Sequence, residues 1–163
     1  MRWKFTLAVA AAVVLTGCAD KPKTTAGEPT LQETQSWLHS FAADRGAGAT
    51  YDGSGCSGAV TWWEANGIPY YTFSFSLKDL DPQSARSVQT VVSPPALQNM
   101  WRATAVTTNN LKKVAVYNHH TRQNEQDDSV IEGTVFRSAE DADRFAKALH
   151  HAIVLCGGKP LLF

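Results

Sequence analysis

Apolar and polar positions alternate with two different periods along this chain, and the change of period marks out its elements. Leu31, Thr34, Leu38, Phe41 and Ala42 recur at the spacing of one helical face, with Trp37 beside them. Thr30-Leu31-Gln32-Glu33 reads as a capping box: the Thr30 hydroxyl can accept from the amide of residue 33, and the Glu33 carboxylate can reach back. Gly46 supplies a stop. The spacing therefore predicts a helix over 31–45.

The period then falls to two. Ala59 to Glu64 is rich in large apolar residues, including Val60, Trp62 and Trp63. Asn66-Gly67 is a type I′ hairpin signal. Tyr70 to Leu77 alternates, with Tyr71, Phe73, Phe75 and Leu77 on one face and Tyr70, Thr72, Ser74 and Ser76 on the other, as a half-buried antiparallel strand should. Asp81 before Pro82 fits an N-cap with proline at N1, so one short helical turn is expected. Val88 to Val92 reads as a strand stopped by Pro94-Pro95. Trp101–Thr108 and Leu111–Asn118 read as a second hairpin about Asn109-Asn110. Residues 119–128 form a polar excursion, and Ser129–Phe136 another strand. Ser138 caps a last helix with Asp141 at N3, along which Ala142, Phe145, Ala146, Leu149, Ile153 and Cys156 make an apolar stripe. The expected fold is α+β: an antiparallel sheet of about six strands between an N-terminal and a C-terminal helix, the sheet either burying one face under the helices or curling into a partial barrel.

Composition narrows the class. The 163 residues carry 15 basic and 15 acidic side chains, so no basic field exists to hold nucleic acid. Apolar residues at 44% and aromatic ones at 10% exclude wholesale disorder. No run after the N-terminus is long enough to span a bilayer.

The N-terminus carries an address. Arg2 and Lys4 precede an apolar run from Phe5 to Leu15, too short for a permanent span but suited to a signal peptide. The run ends in Leu15-Thr16-Gly17-Cys18, which resembles a bacterial lipobox. That resemblance implies a diacylglycerol on the Cys18 sulfur, cleavage before Cys18 by signal peptidase II, and an anchor in the membrane through acyl chains, each buried CH₂ contributing about 0.8 kcal/mol. Ala19, rather than aspartate, follows the cysteine, so the resemblance implies the outer membrane, with the domain facing the periplasm. Loss of Arg2 and Lys4 with the leader gives the mature chain a net charge of about −2. The division expected is a leader over 1–17, a lipidated cysteine and flexible tether over 18–29 (proline- and glycine-bearing, without apolar periodicity), and one globular domain over 30–163.

With Cys18 acylated, Cys56 and Cys156 remain. Export to an oxidising compartment makes a disulfide between them the default. Residues Phe73 to Pro82, Ala142 to Ile153 and Cys156-Gly157-Gly158-Lys159 are similar to a pattern in uncharacterised bacterial envelope proteins, and strands closed by an amphipathic C-terminal helix resemble pleckstrin-homology-like barrels. The resemblance implies that architecture and carries no chemistry with it.

Candidate chemistry is thin. Gly53-Ser54-Gly55-Cys56-Ser57-Gly58 fits G-x-G-x-x-G, but a strand follows where a dinucleotide site needs a helix, so it reads as a loop and no cofactor is expected. His119-His120 and His150-His151 lack the i, i+4 spacing of a one-helix metal site; at most one histidine of each pair could meet the other, with Asp127 or Asp128 as an oxygen ligand. Asp79 and Asp81 read as turn and cap residues. Glu64 beside two tryptophans lacks a located acid–base partner. The best binding candidates are Trp62, Trp63, Tyr70, Tyr71 and Trp101, with one of the adjacent tryptophans in the core and the other beside Tyr70 on an outer face. These features favour a lipid-anchored, non-catalytic envelope module that binds a protein or peptide partner or plays a structural role. A small envelope hydrolase and a metal-binding module built on the histidine pairs are the alternatives.

Overall fold

The computed structural model describes residues 27–90 and 99–160. Cys18 and most of the tether, the Pro94-Pro95 stop and residues 91 and 92 of the strand expected over 88–92 lie outside them. The first helix, α1 (Leu31–Arg45), and the last, α2 (Ala139–Leu155), hold the expected bounds. The capping box forms as read. Donation from the Thr30 amide and hydroxyl to the Glu33 carboxylate lowers its pKa below the usual range. Ser138 accepts from the Asp141 amide at 3.1 Å, capping α2. Gly46 ends α1 with an ordinary extended backbone; a Cβ there would stand 2.3 Å from the Ala42 carbonyl oxygen, so close approach selects the glycine.

Between the helices lie nine strands among the described residues, more than the six expected. They are β1 (Ala49–Ser54), β2 (Ser57–Trp63), β3 (Pro69–Ser76), β4 (Arg86–Gln89), β5 (Trp101–Val106), β6 (Ala115–Asn118), β7 (Gln123–Asn124), β8 (Val130–Ile131) and β9 (Val135–Phe136). They form two antiparallel sheets. One runs β1-β2-β3-β6-β7; in the other, β5 has β4 on one edge and β8 and β9 on the other. The sheets do not close into a barrel, which corrects that part of the expectation and leaves the α+β class intact.

Four local readings change. Residues 101–118 are not a hairpin: β5 and β6 belong to different sheets. Asn109 and Asn110 both adopt positive φ (60° and 52°), and the chain turns away instead of folding back, because both edges of β5 are taken. The strand expected over 129–136 is broken at Gly133, where a Cβ would fall 1.7 Å from the Ala103 carbonyl oxygen. The polar excursion includes β7, which pairs with β6. The β2–β3 turn is not type I′. Gly67 alone takes positive φ (80°), Glu64 pairs with Ile68, and the result is a three-residue turn ending in a left-handed glycine.

Both helices pack against one core. Tyr51 meets Phe145 edge to face at 5.6 Å, Phe136 meets Phe145 at 5.3 Å, and Trp37 stacks on Phe41 at 4.4 Å. Phe73 and Phe75 from β3 and Leu77 just after it are buried, as their alternation predicts, together with Leu149 and Ile153 from α2. Cys56, in the β1–β2 turn, is bonded to Cys156 at the end of α2, with Cα atoms 5.6 Å apart. The disulfide thus joins the last helix to the first hairpin, as expected.

Candidate functional site

The strands β2, β3 and β6 bring one group of aromatic side chains to a single end of the five-stranded sheet. Along β2, Gly58 and Val60 are buried whereas Trp63 is exposed. The register shifts between Trp62 and Trp63, so that Trp62 pairs with Tyr71 and Trp63 with Pro69, leaving Tyr70 in the bulge. This offset separates the two tryptophans. Trp62 packs against the core and donates from Nε1 to the Glu132 carbonyl at 2.9 Å. Trp63 stays 39% exposed and donates from Nε1 to the Thr50 hydroxyl at 3.0 Å. Tyr70 is 41% and Ile68 is 50% exposed beside it. One tryptophan in the core and the other on the surface with Tyr70 is the arrangement the alternation suggested. Trp101 is half-buried against the core and pairs with Phe136, away from this group.

Histidines frame the aromatic end. His120 lies edge-on to Tyr70 at 5.2 Å, and its Nε2 sits 2.8 Å from Oε1 of Glu64. His119 is edge-on to Tyr117 at 4.9 Å, and its Nε2 is 2.9 Å from the Thr72 hydroxyl, which in turn meets the Thr61 hydroxyl at 3.0 Å. The Tyr71 ring packs against that of Tyr70, centroids 4.3 Å apart and planes tilted by 52°. Hydrogen bonding with Tyr70, followed by desolvation, raises the pKa of its phenol. Tyr117 and Ile68 were not singled out in the sequence. The signal for Tyr117 was present, since it alternates with the buried Val116 and Asn118.

The remaining candidates fall elsewhere. His150 and His151 sit on α2 and bond the carbonyls of Pro82 and Pro29 at 2.7 and 2.9 Å. They do not meet His119 and His120, and no group of three metal-ligating side chains gathers among the described residues. Asp81 caps its turn by accepting from the Gln83 amide, Asp79 accepts from Lys113 Nζ at 2.7 Å, and Asp128 accepts from the amides of Ser129 and Val130. Gly53 to Gly58 is the β1–β2 turn, with Gly55 at φ 54° and strand following. Further along the outer face of the sheet, a shallow groove of about 670 Å³ runs over Ser54, Ser57 and Ser74 to Lys113. His39 and Asp52 line it as a pair 3.0 Å apart. No helix among the described residues is long and apolar enough to cross a membrane.

Comparison of the chain with protein-family models, with curated proteins and with solved structures finds no match in any of the three.

Proposed function

We propose that this chain is a lipid-anchored cell-envelope module, acylated at Cys18 and held on the periplasmic face of the outer membrane. It binds a protein or peptide partner through its aromatic end. The observation that carries the binding reading is the convergence of Trp63, Ile68 and Tyr70, each more than a third exposed, on one end of one sheet. A surface of this kind, with a polar fringe at Glu64 and His120, fits the build of a recognition patch: aromatic anchors in the middle and hydrogen-bonding groups around them. The lipobox supports the address, and a Cys56–Cys156 bond suits an oxidising compartment.

Two measurements test the reading. Labelled palmitate should enter the wild-type protein and not a Cys18→Ser version; equal labelling of both removes the anchor. A photo-cross-linker at position 68 should trap a discrete partner in intact cells. Trp63→Ala or Tyr70→Ala should abolish that adduct, whereas a cross-linker at Ser87, on the other sheet, should trap none. Adducts indifferent to both substitutions would show that the aromatic end is not the binding surface.

A further inference from the structure

The end of the domain opposite the aromatic group has a different character. The strand β3 runs from Tyr70 at one end to Ser76 at the other, a separation of about 20 Å. At the far end, the turn after β3, the loop after β5 and the residues after α2 converge. A small pocket of about 210 Å³ is lined there by Lys78, Asp79, Leu111, Lys113 and Lys159. The Thr108 hydroxyl donates to the Lys159 carbonyl at 3.1 Å, tying loop to tail. Lys112 is exposed next to Lys113. Asp79 is the carboxylate that lines the pocket, and Lys113 already engages it; Asp128, backbone-paired with Lys113, spends its carboxylate on the amides of Ser129 and Val130. Leu111 stands 48% exposed among these lysines, and Val154 on the last turn of α2 is 45% exposed.

The tether leaves from this same end. The Pro29 carbonyl bonds His151, four residues before α2 finishes and therefore roughly 6 Å along its axis from the helix end. Eight residues separate Cys18 from Gly27, so covalent geometry alone keeps residue 18 within about 32 Å of Gly27. Glu28 and Glu33 sit on the α1 side of this end, with the lysines on the other side.

We infer that the lysine-rich end is a membrane-docking face, on which Lys78, Lys112, Lys113 and Lys159 meet anionic phospholipid headgroups and Leu111 enters the interface. The orientation rests on the lipid-anchor reading proposed above; the patch itself is a property of the fold. An exposed leucine among lysines argues for a lipid surface over a soluble anion. A free phosphate has no use for the leucine, whereas a bilayer gains from both the charge and the apolar insertion. Docking here turns Trp63 and Tyr70 away from the membrane, toward a partner.

The test places a fluorophore on Leu111→Cys or on Ile68→Cys in acylated protein reconstituted into vesicles that carry nitroxide-labelled lipid. With phosphatidylglycerol present, position 111 should be quenched and position 68 should not. Quenching at 111 should vanish in pure phosphatidylcholine or at high salt. Each lysine neutralised lowers the docked-to-undocked ratio about fivefold, so a Lys78→Gln/Lys112→Gln/Lys159→Gln protein should lose about a hundredfold and show no quenching. That variant keeps the Lys113–Asp79 pair, and an unchanged unfolding midpoint would show that its fold is intact. Acylated protein unquenched at 111, or quenched equally at 68, overturns the docking face and leaves the anchor standing. Inorganic phosphate that abolishes quenching where equal ionic strength of chloride does not would make the patch a soluble-anion site and overturn the proposal. Failure of acylation is read separately, by loss of flotation with neutral vesicles.

Discussion

The hydroxyl of Tyr51 donates to Oε1 of Gln35 at 2.6 Å, between side chains that are both buried. The Gln35 amide passes the connection on, donating to the Gly55 carbonyl at 3.0 Å, beside the disulfide. A polar residue on the inner face of α1 is thereby satisfied on both its oxygen and its nitrogen. Tyr51→Phe leaves Gln35 Oε1 buried without its donor and should cost about 1–3 kcal/mol in denaturant unfolding. A loss below a few tenths would show that the pair contributes nothing net.

The same hydroxyl sets an alkaline limit. Burial, the largest cause, raises the Tyr51 pKa above its ordinary 10.0, with the hydrogen bond to Gln35 and the nearby Asp52 as smaller influences. The folded state holds this proton more tightly than the unfolded chain does. Its contribution is therefore fully present below pH 10 and declines as pH rises past that value. Unfolding midpoints measured from pH 9 upward should fall more steeply for wild type than for Tyr51→Phe.

Reduction of the Cys56–Cys156 bond releases a loop of 100 residues, for which the chain-entropy estimate is about 4.7 kcal/mol. Reductant, or Cys56→Ser, should lower the urea midpoint accordingly. An unchanged midpoint would mean that the unfolded chain gains no freedom from losing the link.

Two glycines should respond differently to alanine. Gly133 faces the Ala103 carbonyl with no room for a methyl, so Gly133→Ala forces β8 and β9 off β5 at a cost of roughly 3 kcal/mol. Gly67, at φ 80° with open space around it, should cost about 1–2 kcal/mol through backbone strain alone. The reverse order would contradict the close approach of the strands.

Adjacent tryptophans should separate stability from recognition. Trp62→Ala removes core packing and the bond to Glu132 and should cost about 3 kcal/mol. Trp63→Ala should cost about 0.5 kcal/mol while abolishing partner cross-linking at position 68. Equal destabilisation by both would place Trp63 in the core as well.

The sequence by itself determined the elements whose signals are local. The Thr30 and Ser138 caps, the Asp81-Pro82 turn, the stripe along α2 and the alternation of β3 all depend on neighbours within a few residues, and each forms as read. The Cys56–Cys156 pairing was also legible, because the lipobox resemblance sets Cys18 apart and the two cysteines left allow one connection. Tertiary structure decided what depends on distant partners. Asn109-Asn110 looks the same in sequence whether β5 pairs back on β6 or, as here, is already flanked by β4 on one edge and β8 and β9 on the other. A short strand such as β1 or β7 gains its hydrogen bonds only from a neighbour elsewhere in the chain. The same limit hid the lysine-rich end and left the aromatic end legible only in Trp63 and Tyr70. Lys78, Lys112, Lys113 and Lys159 are scattered in sequence, as are Trp63, Tyr70, Tyr117 and His120, and side-chain chemistry becomes a surface only when packing brings such residues together.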